Sequence, residues 1–564
     1  MLELLLVDLV DRWKPLYIIN ISLTVSEYPL TTRMAISNCP SDILITTTNF
    51  LDKRALLDLR LVNRQIYDIL TPFALRAVQF NLDYPWNGDT NSVNSRLEEC
   101  QLLSSDLRYY AQNFSISING GCLSRQVDPS LIPHLWNAIA SFKSLRTFDL
   151  RWDITPKRRT DPTTGIRPQA VLAGVVDAVV QATGGELQSL NLSPSPDDPW
   201  VSESDSLQFI RGLVSLKVSL DRRGWRCSLH SQPKLFTDSE LERGYRNRFC
   251  GCKPFPVQDV VSQILENNPQ LESLELLHGC RGRGFSLHEI LLPHLSNLVS
   301  LSIFGASFHS TTPLDPIPLR NLRHLTIHSR YSAANLDVLW SSMKAAGTCL
   351  ETLTTFQVSY SLMSFLASFS GLRTLSIDAI QRYTACTSED AVSLFTHSVL
   401  PQHASTLESL SLRFDVDIYH IDAWAFNPFT WSQVLPRLVA LKSLRVHPPR
   451  ISGEGLVRPS DYTTYSYLLG NYQVLLDSIQ EVPDLERLEV LPPSVSTSYS
   501  GGQSKWSDLF SSELDKVTSE LKVNIQRGSR RVNPRTLALY IGDLEPVEGD
   551  DGKWVLRRLV SDII

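Results

Sequence analysis

This 564-residue chain is poor in the residues from which reactive centres are assembled: it has 12 histidines, nine cysteines and four methionines. It holds no Gly-x-Ser-x-Gly elbow, no phosphate loop ending in Gly-Lys-Ser or Gly-Lys-Thr, no His-Glu-x-x-His and no dinucleotide fingerprint, so the usual sequence marks of hydrolases, nucleotidases and dehydrogenases are missing. The expectation is a protein without catalysis and without a cofactor, whose repeat histidines, such as His294 and His324, decorate a surface rather than act as bases. The cysteines are odd in number and scattered along a chain without a secretion signal, which argues for reduced thiols rather than a disulfide framework. Cys227, His230, Cys250 and Cys252 share one stretch, but Cys-x-Cys with Cys-x-x-His lacks the paired spacing of a structural zinc site, so no metal is expected.

A dominant charge is also lacking. The net charge is −6 and the isoelectric point about 6.1, which gives no reason to expect nucleic acid or anionic lipid as a partner. The opening MLELLLVDLV carries Glu3 and Asp8, has no basic leader and is too short to span a bilayer. Neither a secretory signal nor an anchor follows, and the chain is expected in the cytoplasm, the nucleus or both. Lys157-Arg158-Arg159 is a short run of the kind read as a nuclear address.

What the chain does have is apolar side chains, 43% of the total, in two recurring arrangements. The first is confined to residues 39 to 70. Pro40 suits a helix start, and Asp42 places negative charge near the positive end of a helix dipole. Ile43, Leu44 and Ile45 give that turn an apolar face, closed by Phe50 and Leu51. Asp52 is a candidate N-cap for a second helix bearing Leu56, Leu57, Leu59, Leu61 and Val62, then Ile66, Tyr67 and Leu70, with Thr71-Pro72 marking its end. So short a hairpin has more apolar side chains than it can bury within itself, and it therefore calls for a partner.

Cys39-Pro40, Asp42-Ile43-Leu44, Phe50-Leu51-Asp52, Leu56-Leu57, Leu61-Val62-Asn63-Arg64 and Ile66-Tyr67 resemble the F-box, especially as it occurs in filamentous fungi. The likeness covers about residues 36 to 76. It departs at Cys39, where the family usually has leucine, and at Asp42, where glutamate is commoner. Both departures bear on the strength of partner docking. The resemblance implies binding of a Skp-type adaptor, and through it a cullin, with contacts on Pro40, Ile43, Leu44, Leu51, Leu56, Leu57, Val62 and Tyr67. The alternative is an ordinary helical hairpin packed on its own domain.

The second arrangement is Leu-x-x-Leu-x-Leu, the alternation of a short strand with one buried face preceded by an anchoring leucine. It recurs at Leu145, Phe148, Leu150; Leu187, Leu190, Leu192; Leu213, Leu216, Val218; and eight more times, ending at Leu485, Leu488, Val490. One of the eight is read at Leu353, Phe356, Val358. Helical spacing fills the intervals, as at Ile132, Leu135, Ile139; Val171, Val175, Val179; and Val257, Val261, Ile264. One strand-helix unit cannot cover its own apolar face, whereas stacked units bury a continuous core. The pattern resembles leucine-rich repeats. Its spacing is irregular, and the consensus Asn or Cys after the strand is mostly missing. The competing architecture is a doubly wound α/β domain with a parallel sheet.

Three stretches interrupt the pattern: 155 to 168, basic and proline-rich; 193 to 206, acidic and serine-rich; and 221 to 256, which interleaves arginine with Trp225 and Tyr245 and reads either as a solvated loop of mixed charge or as an interface centre that holds a client. The expected fold class is α/β, an all-helical F-box followed by an irregular leucine-rich-repeat solenoid with parallel strands on its concave face and helices on its convex face. The segments are an N-terminal extension (1–33) outside the natural product if translation starts at Met34, the F-box (34–76), a linker and N-terminal cap (77–130), the solenoid (131–505) and a C-terminal cap (506–564) built on Leu509, Phe510, Leu514, Val517 and Leu521. Together the two modules imply a substrate receptor of an SCF-type cullin-RING ubiquitin ligase that holds a client protein on its repeats. A repeat scaffold unconnected with ubiquitin is the alternative.

Overall fold

The computed structural model describes residues 56, 64–82, 97–98, 105–119, 129–153, 168–193, 205–220, 257–278, 287–304, 313–328, 336–379 except 357, 389–414, 428–446, 478, 482, 484–490, 538–541, 544–548 and 554–558. The chain divides into two compact units, Met1–Ala74 and Leu75–Ile564.

In the first unit, the helix Arg64–Ala74 carries Tyr67 half-buried and Leu70 fully buried. The helix runs through Thr71-Pro72 rather than stopping there. Pro72 has no N–H to give the carbonyl four residues earlier, and the helix ends two residues beyond it.

The second unit is built on one sheet of 16 strands hydrogen-bonded in sequence order. They are β1 (Ala77–Leu82), β2 (Asn113–Asn119), β3 (Thr147–Asp153), β4 (Ser189–Ser193), β5 (Ser215–Leu220), β6 (Ser273–His278), β7 (Ser300–Phe304) and β8 (His324–His328). Then come β9 (Thr352–Thr355), β10 (Thr374–Ala379), β11 (Ser409–Phe414), β12 (Ser443–Val446), β13 (Arg487–Val490), β14 (Ala538–Ile541), β15 (Leu544–Glu548) and β16 (Trp554–Arg558). Pairing is parallel from β1 through β14, and the last two strands turn back antiparallel. A doubly wound sheet reverses its strand order at a switch point; this one never does, which excludes that architecture and leaves an α/β solenoid of leucine-rich-repeat-like units. Val78 and Phe80, and Phe114 and Ile116, within the segment expected to be linker and cap, lie in the first two strands of this same sheet.

The leucine trios explain the register. Leu190 sits opposite Phe148 and Leu216, and Leu192 opposite Leu150 and Val218, so the second and third residues of each trio form two continuous apolar columns across the strands. The first residue anchors the turn into the strand: Leu145, Leu187, Leu213, Leu271, Leu298, Leu322, Leu372, Leu407 and Leu441 are all buried. A single hydrophobic cluster runs from Leu97 to Leu488. Each fully buried leucine contributes roughly 1.5–3 kcal/mol relative to exposure.

One trio lies three residues earlier than the pattern suggests. Leu353 pairs with Leu325 and Leu375, and Thr355 with Ile327 and Ile377, so the unit is Leu350, Leu353, Thr355, with Phe356 and Val358 buried beyond the strand. A threonine in an otherwise apolar column hides the true register from a search for leucines. Thr355 is nonetheless fully buried.

Helices complete the core where the spacing places them, at Ile132–Ala140, Pro168–Thr183 and Val257–Glu266. The first two approach closely because Gly174 lets the Trp136 ring lie against the second helix, where its Nε1–H donates to the Val171 carbonyl at 3.3 Å. A Cβ at position 174 would stand 2.3 Å from Trp136 Cε2. Replacing a helical glycine by alanine ordinarily stabilises by about 1 kcal/mol. Here Gly174→Ala is expected to destabilise by about 1–3 kcal/mol through the displaced ring, a reversal of sign that urea unfolding detects. Trp136→Leu is expected to restore the ordinary sign.

Connection lengths are asymmetric. Between each helix or 3₁₀ turn and the next strand start, from β3 to β12, the chain spends between three residues (321–323) and nine (291–299). From strand end to the next described helix or 3₁₀ turn lie between four residues (356–359) and 36 (221–256) over the same span. The irregular repeat spacing is therefore absorbed almost entirely on the side where strands end. The stretches 155–167, 194–204 and 221–256 all leave from that side; they, the four candidate zinc ligands and Leu509 to Leu521 lie outside the described residues.

Candidate functional site

The residues between the leucines define the second face of the sheet. In each strand the apolar pair points to the core, so the position before it and the position between point the other way. β7 presents Ser300 and Ser302, β8 His324 and Thr326, β9 Thr352 and Thr354, β10 Thr374 and Ser376, and β11 Ser409 and Ser411, aligned strand to strand by the ladder. All are half-buried except His324, which is exposed. This middle belt has no formal charge in its two rows at neutral pH.

Charge appears on either side of the belt, and there it is paired. Lys217 on β5 meets Glu275 on β6 at 2.8 Å. Asp149 on β3 pairs with Arg151 at 3.0 Å and accepts from the Ser115 hydroxyl. At the other end, Glu489 on β13 takes Arg445 at 3.0 Å and Arg487 at 3.3 Å. Along the strand ends, the Phe304 ring stacks on His328 at 5.9 Å, and His328 Nε2 lies 3.9 Å from Asp378. These last two reach past β9, which ends one position short of that row.

The edge where strands begin carries a different device. Arg323, Glu351, Arg373, Glu408, Lys442 and Glu486 are the residues immediately before six successive strands, and their signs alternate. Each is linked to the next by a backbone hydrogen bond. Glu408 sits 2.9 Å from Lys442 and 3.7 Å from Arg373. The hydrogen bond from Lys442 holds the Glu408 carboxyl below its usual range, and the same bond raises the Lys442 ammonium. Arg323, Arg373, Lys442 and Glu486 are exposed and Glu351 and Glu408 half-buried, so their part is chiefly register: a slip by one strand would set like charges side by side.

Polar side chains also staple one unit to the next. Asn268 is fully buried; its Oδ1 accepts from Leu213 N at 2.9 Å, and its Nδ2 donates to Ile210 O at 2.9 Å and Ile264 O at 2.7 Å. His403 does the same further along. Its Nδ1 accepts from Leu372 N at 3.3 Å, which requires the proton on Nε2, where it is donated to Leu366 O at 3.0 Å. His294 stands at the equivalent position of an earlier unit, four residues before the anchoring leucine, and bonds Leu265 O at 3.0 Å. The expectation of two surface histidines thus holds for His324 and fails for His294, which is half-buried between units. The signal was present in the spacing His294 to Leu298 and His403 to Leu407, but a pattern of apolar residues alone does not show it.

Burial lowers the His403 pKa below its ordinary value. An unfolded histidine titrates near 6.5, so below that pH the unfolded chain binds a proton that the folded site resists. The stability contributed here is present above pH ~6.5 and is lost as pH falls through it. The melting temperature is expected to drop between about pH 7.5 and 5.5, and His403→Leu, though less stable throughout, is expected to lose that part of the slope; thermal melts across the range check it.

Of the residues assigned to adaptor docking, Leu56 is helical and 7% exposed, and Tyr67 is half-buried on the helix Arg64–Ala74. Pro40, Ile43, Leu44, Leu51, Leu57 and Val62 lie outside the described residues. Among the described residues no helix is long and apolar enough to cross a membrane.

No protein-family model matches the chain, and no curated protein does. Among solved structures it is similar to a leucine-rich-repeat protein of Leptospira interrogans, with 13% identity over 76% of this chain and 98% of that one and a TM-score of 0.27. A score that low adds nothing to the assignment of the fold, which stands on strand order and register.

Proposed function

We propose that this chain is a non-catalytic substrate receptor of an SCF-type cullin-RING ubiquitin ligase, active in the cytoplasm, the nucleus or both. Residues 34–76 bind a Skp-type adaptor, and the open face of the repeats binds a client protein. The reading is carried by one observation: an F-box-like order of residues from Cys39 to Tyr67 precedes a long solenoid whose sheet presents a polar row of side chains on the face away from the core. The receptor does no bond chemistry. It raises the effective concentration of client lysines at a ubiquitin-charged enzyme, which is a contribution of proximity. Co-expression of the full chain with a Skp-type adaptor, followed by affinity capture, tests it; a stable complex is the expected result, and its absence removes the ligase role.

A second reading has an observation in its favour. Leu56, one of the proposed docking residues, is almost fully buried, as it would be in a hairpin packed within its own unit. On that reading the protein is a repeat scaffold for protein partners with no tie to ubiquitin. Adaptor capture separates the two.

A further inference from the structure

Resting on the client-binding reading, we infer that the segment held on the open face is extended, uncharged and rich in hydroxyl and amide side chains, and that acidic, phosphorylated and basic segments are rejected. The ground for this is charge complementarity across the belt formed by β7 to β11. Its two outward rows present nine hydroxyls and one imidazole. Parallel strands lie about 4.8 Å apart, so the belt is about 20 Å wide, enough for roughly six extended residues.

The hydroxyls are available. Among the described residues, none of the nine makes a side-chain hydrogen bond with the rest of the protein. Nearer the start of the sheet the same positions are spent internally: Ser115 donates to Asp149 and Thr147 to Asn113. Each free hydroxyl both donates and accepts, and so matches the amides and hydroxyls of a partner in either orientation.

Charge is excluded by what the belt lacks. A carboxylate, phosphate or ammonium lying over it would give up water and receive only neutral hydroxyls, a desolvation without compensation. The charges that border it are met by opposite ones: Lys217 by Glu275, and Arg445 and Arg487 by Glu489. Along the strand starts, where Arg323, Glu351, Arg373 and Glu408 alternate in sign, Arg373 and Lys442 are met by Glu408. On the strand-end side the row continues with the Phe304 and His328 rings, and His328 Nε2 lies 3.9 Å from Asp378. That border offers an aromatic shelf for one apolar side chain of the segment.

The test pans a phage-displayed library of random 12-residue peptides on the immobilised full chain. Enriched peptides are expected to hold at most half the Asp, Glu, Lys and Arg of the input library. Their synthetic forms are expected to change affinity less than twofold between about 50 and about 500 mM salt. The triple variant Thr326→Ala, Thr354→Ala, Ser376→Ala removes three hydroxyls from a half-exposed surface and is expected to weaken these peptides at least tenfold, with an unchanged thermal melt as the control for folding. Enrichment of charged peptides, enrichment that survives the triple variant, or no enrichment over uncoated support would each overturn the inference. Adaptor capture is read out through the first unit, so its failure is seen separately from failure here.

Discussion

Replacing Asn268 by leucine is expected to lower the unfolding free energy by about 2–6 kcal/mol, more than most single substitutions. The side chain is fully buried and spends its carbonyl on Leu213 N and its amide on Ile210 O and Ile264 O. Leucine has similar bulk and none of these groups, so the Ile210 and Ile264 carbonyls lose their buried donor, at roughly 1–3 kcal/mol each, while Leu213 N can turn to the Gln270 amide oxygen at 3.0 Å. The Ile210 partner lies 58 residues away across the long segment 221–256. A solenoid transmits such damage mainly to its neighbours. Amide exchange is expected to rise most at β5 and β6 and least at β11. The adjacent Asn267, exposed, with its side-chain amide donating to Gln208 O, is the control: Asn267→Ala is expected to cost less than about 1 kcal/mol. A shift under about 1 kcal/mol for Asn268→Leu in urea unfolding would show that the staple is dispensable.

The second large effect concerns binding. On the F-box reading, Leu44→Glu together with Leu51→Lys is expected to abolish capture of a Skp-type adaptor, a loss of more than about a hundredfold. Anchoring apolar residues in an interface are commonly worth 2 kcal/mol or more apiece, and a charge buried without a partner adds its own desolvation cost. The repeats belong to a separate compact unit and are expected to melt unchanged. Full capture by the doubly charged variant, with adaptor and chain both intact, would refute the docking assignment and leave the scaffold reading.

Much of the sheet was legible in the sequence because its determinants are local. An anchoring leucine and an alternating apolar pair announce each strand within six residues, and helical spacing fills the intervals at Ile132 to Ile139 and Val171 to Val179. The one slip, at Leu353, arose where Thr355 takes an apolar position. The staples were not legible. Asn268 and His403 are polar residues in polar surroundings of sequence, and only the fold brings each beside the backbone of the preceding unit. The candidate face was half legible. Its serines and threonines stand plainly between the leucines, yet the pairing of Lys217 with Glu275 exists only because β5 and β6 are neighbours across an intervening segment.

The unequal connections have an evolutionary consequence. One rim of the sheet acts as a ruler: three to nine residues return the chain to each strand start between β3 and β12, and alternating charges there discourage misalignment. The opposite rim is free to vary. Loop length is thermodynamically mild in general, each doubling costing only about 0.6 kcal/mol in closure entropy. Descendants of this chain can therefore gain or lose residues beyond the strand ends while the pitch of the array is inherited unchanged.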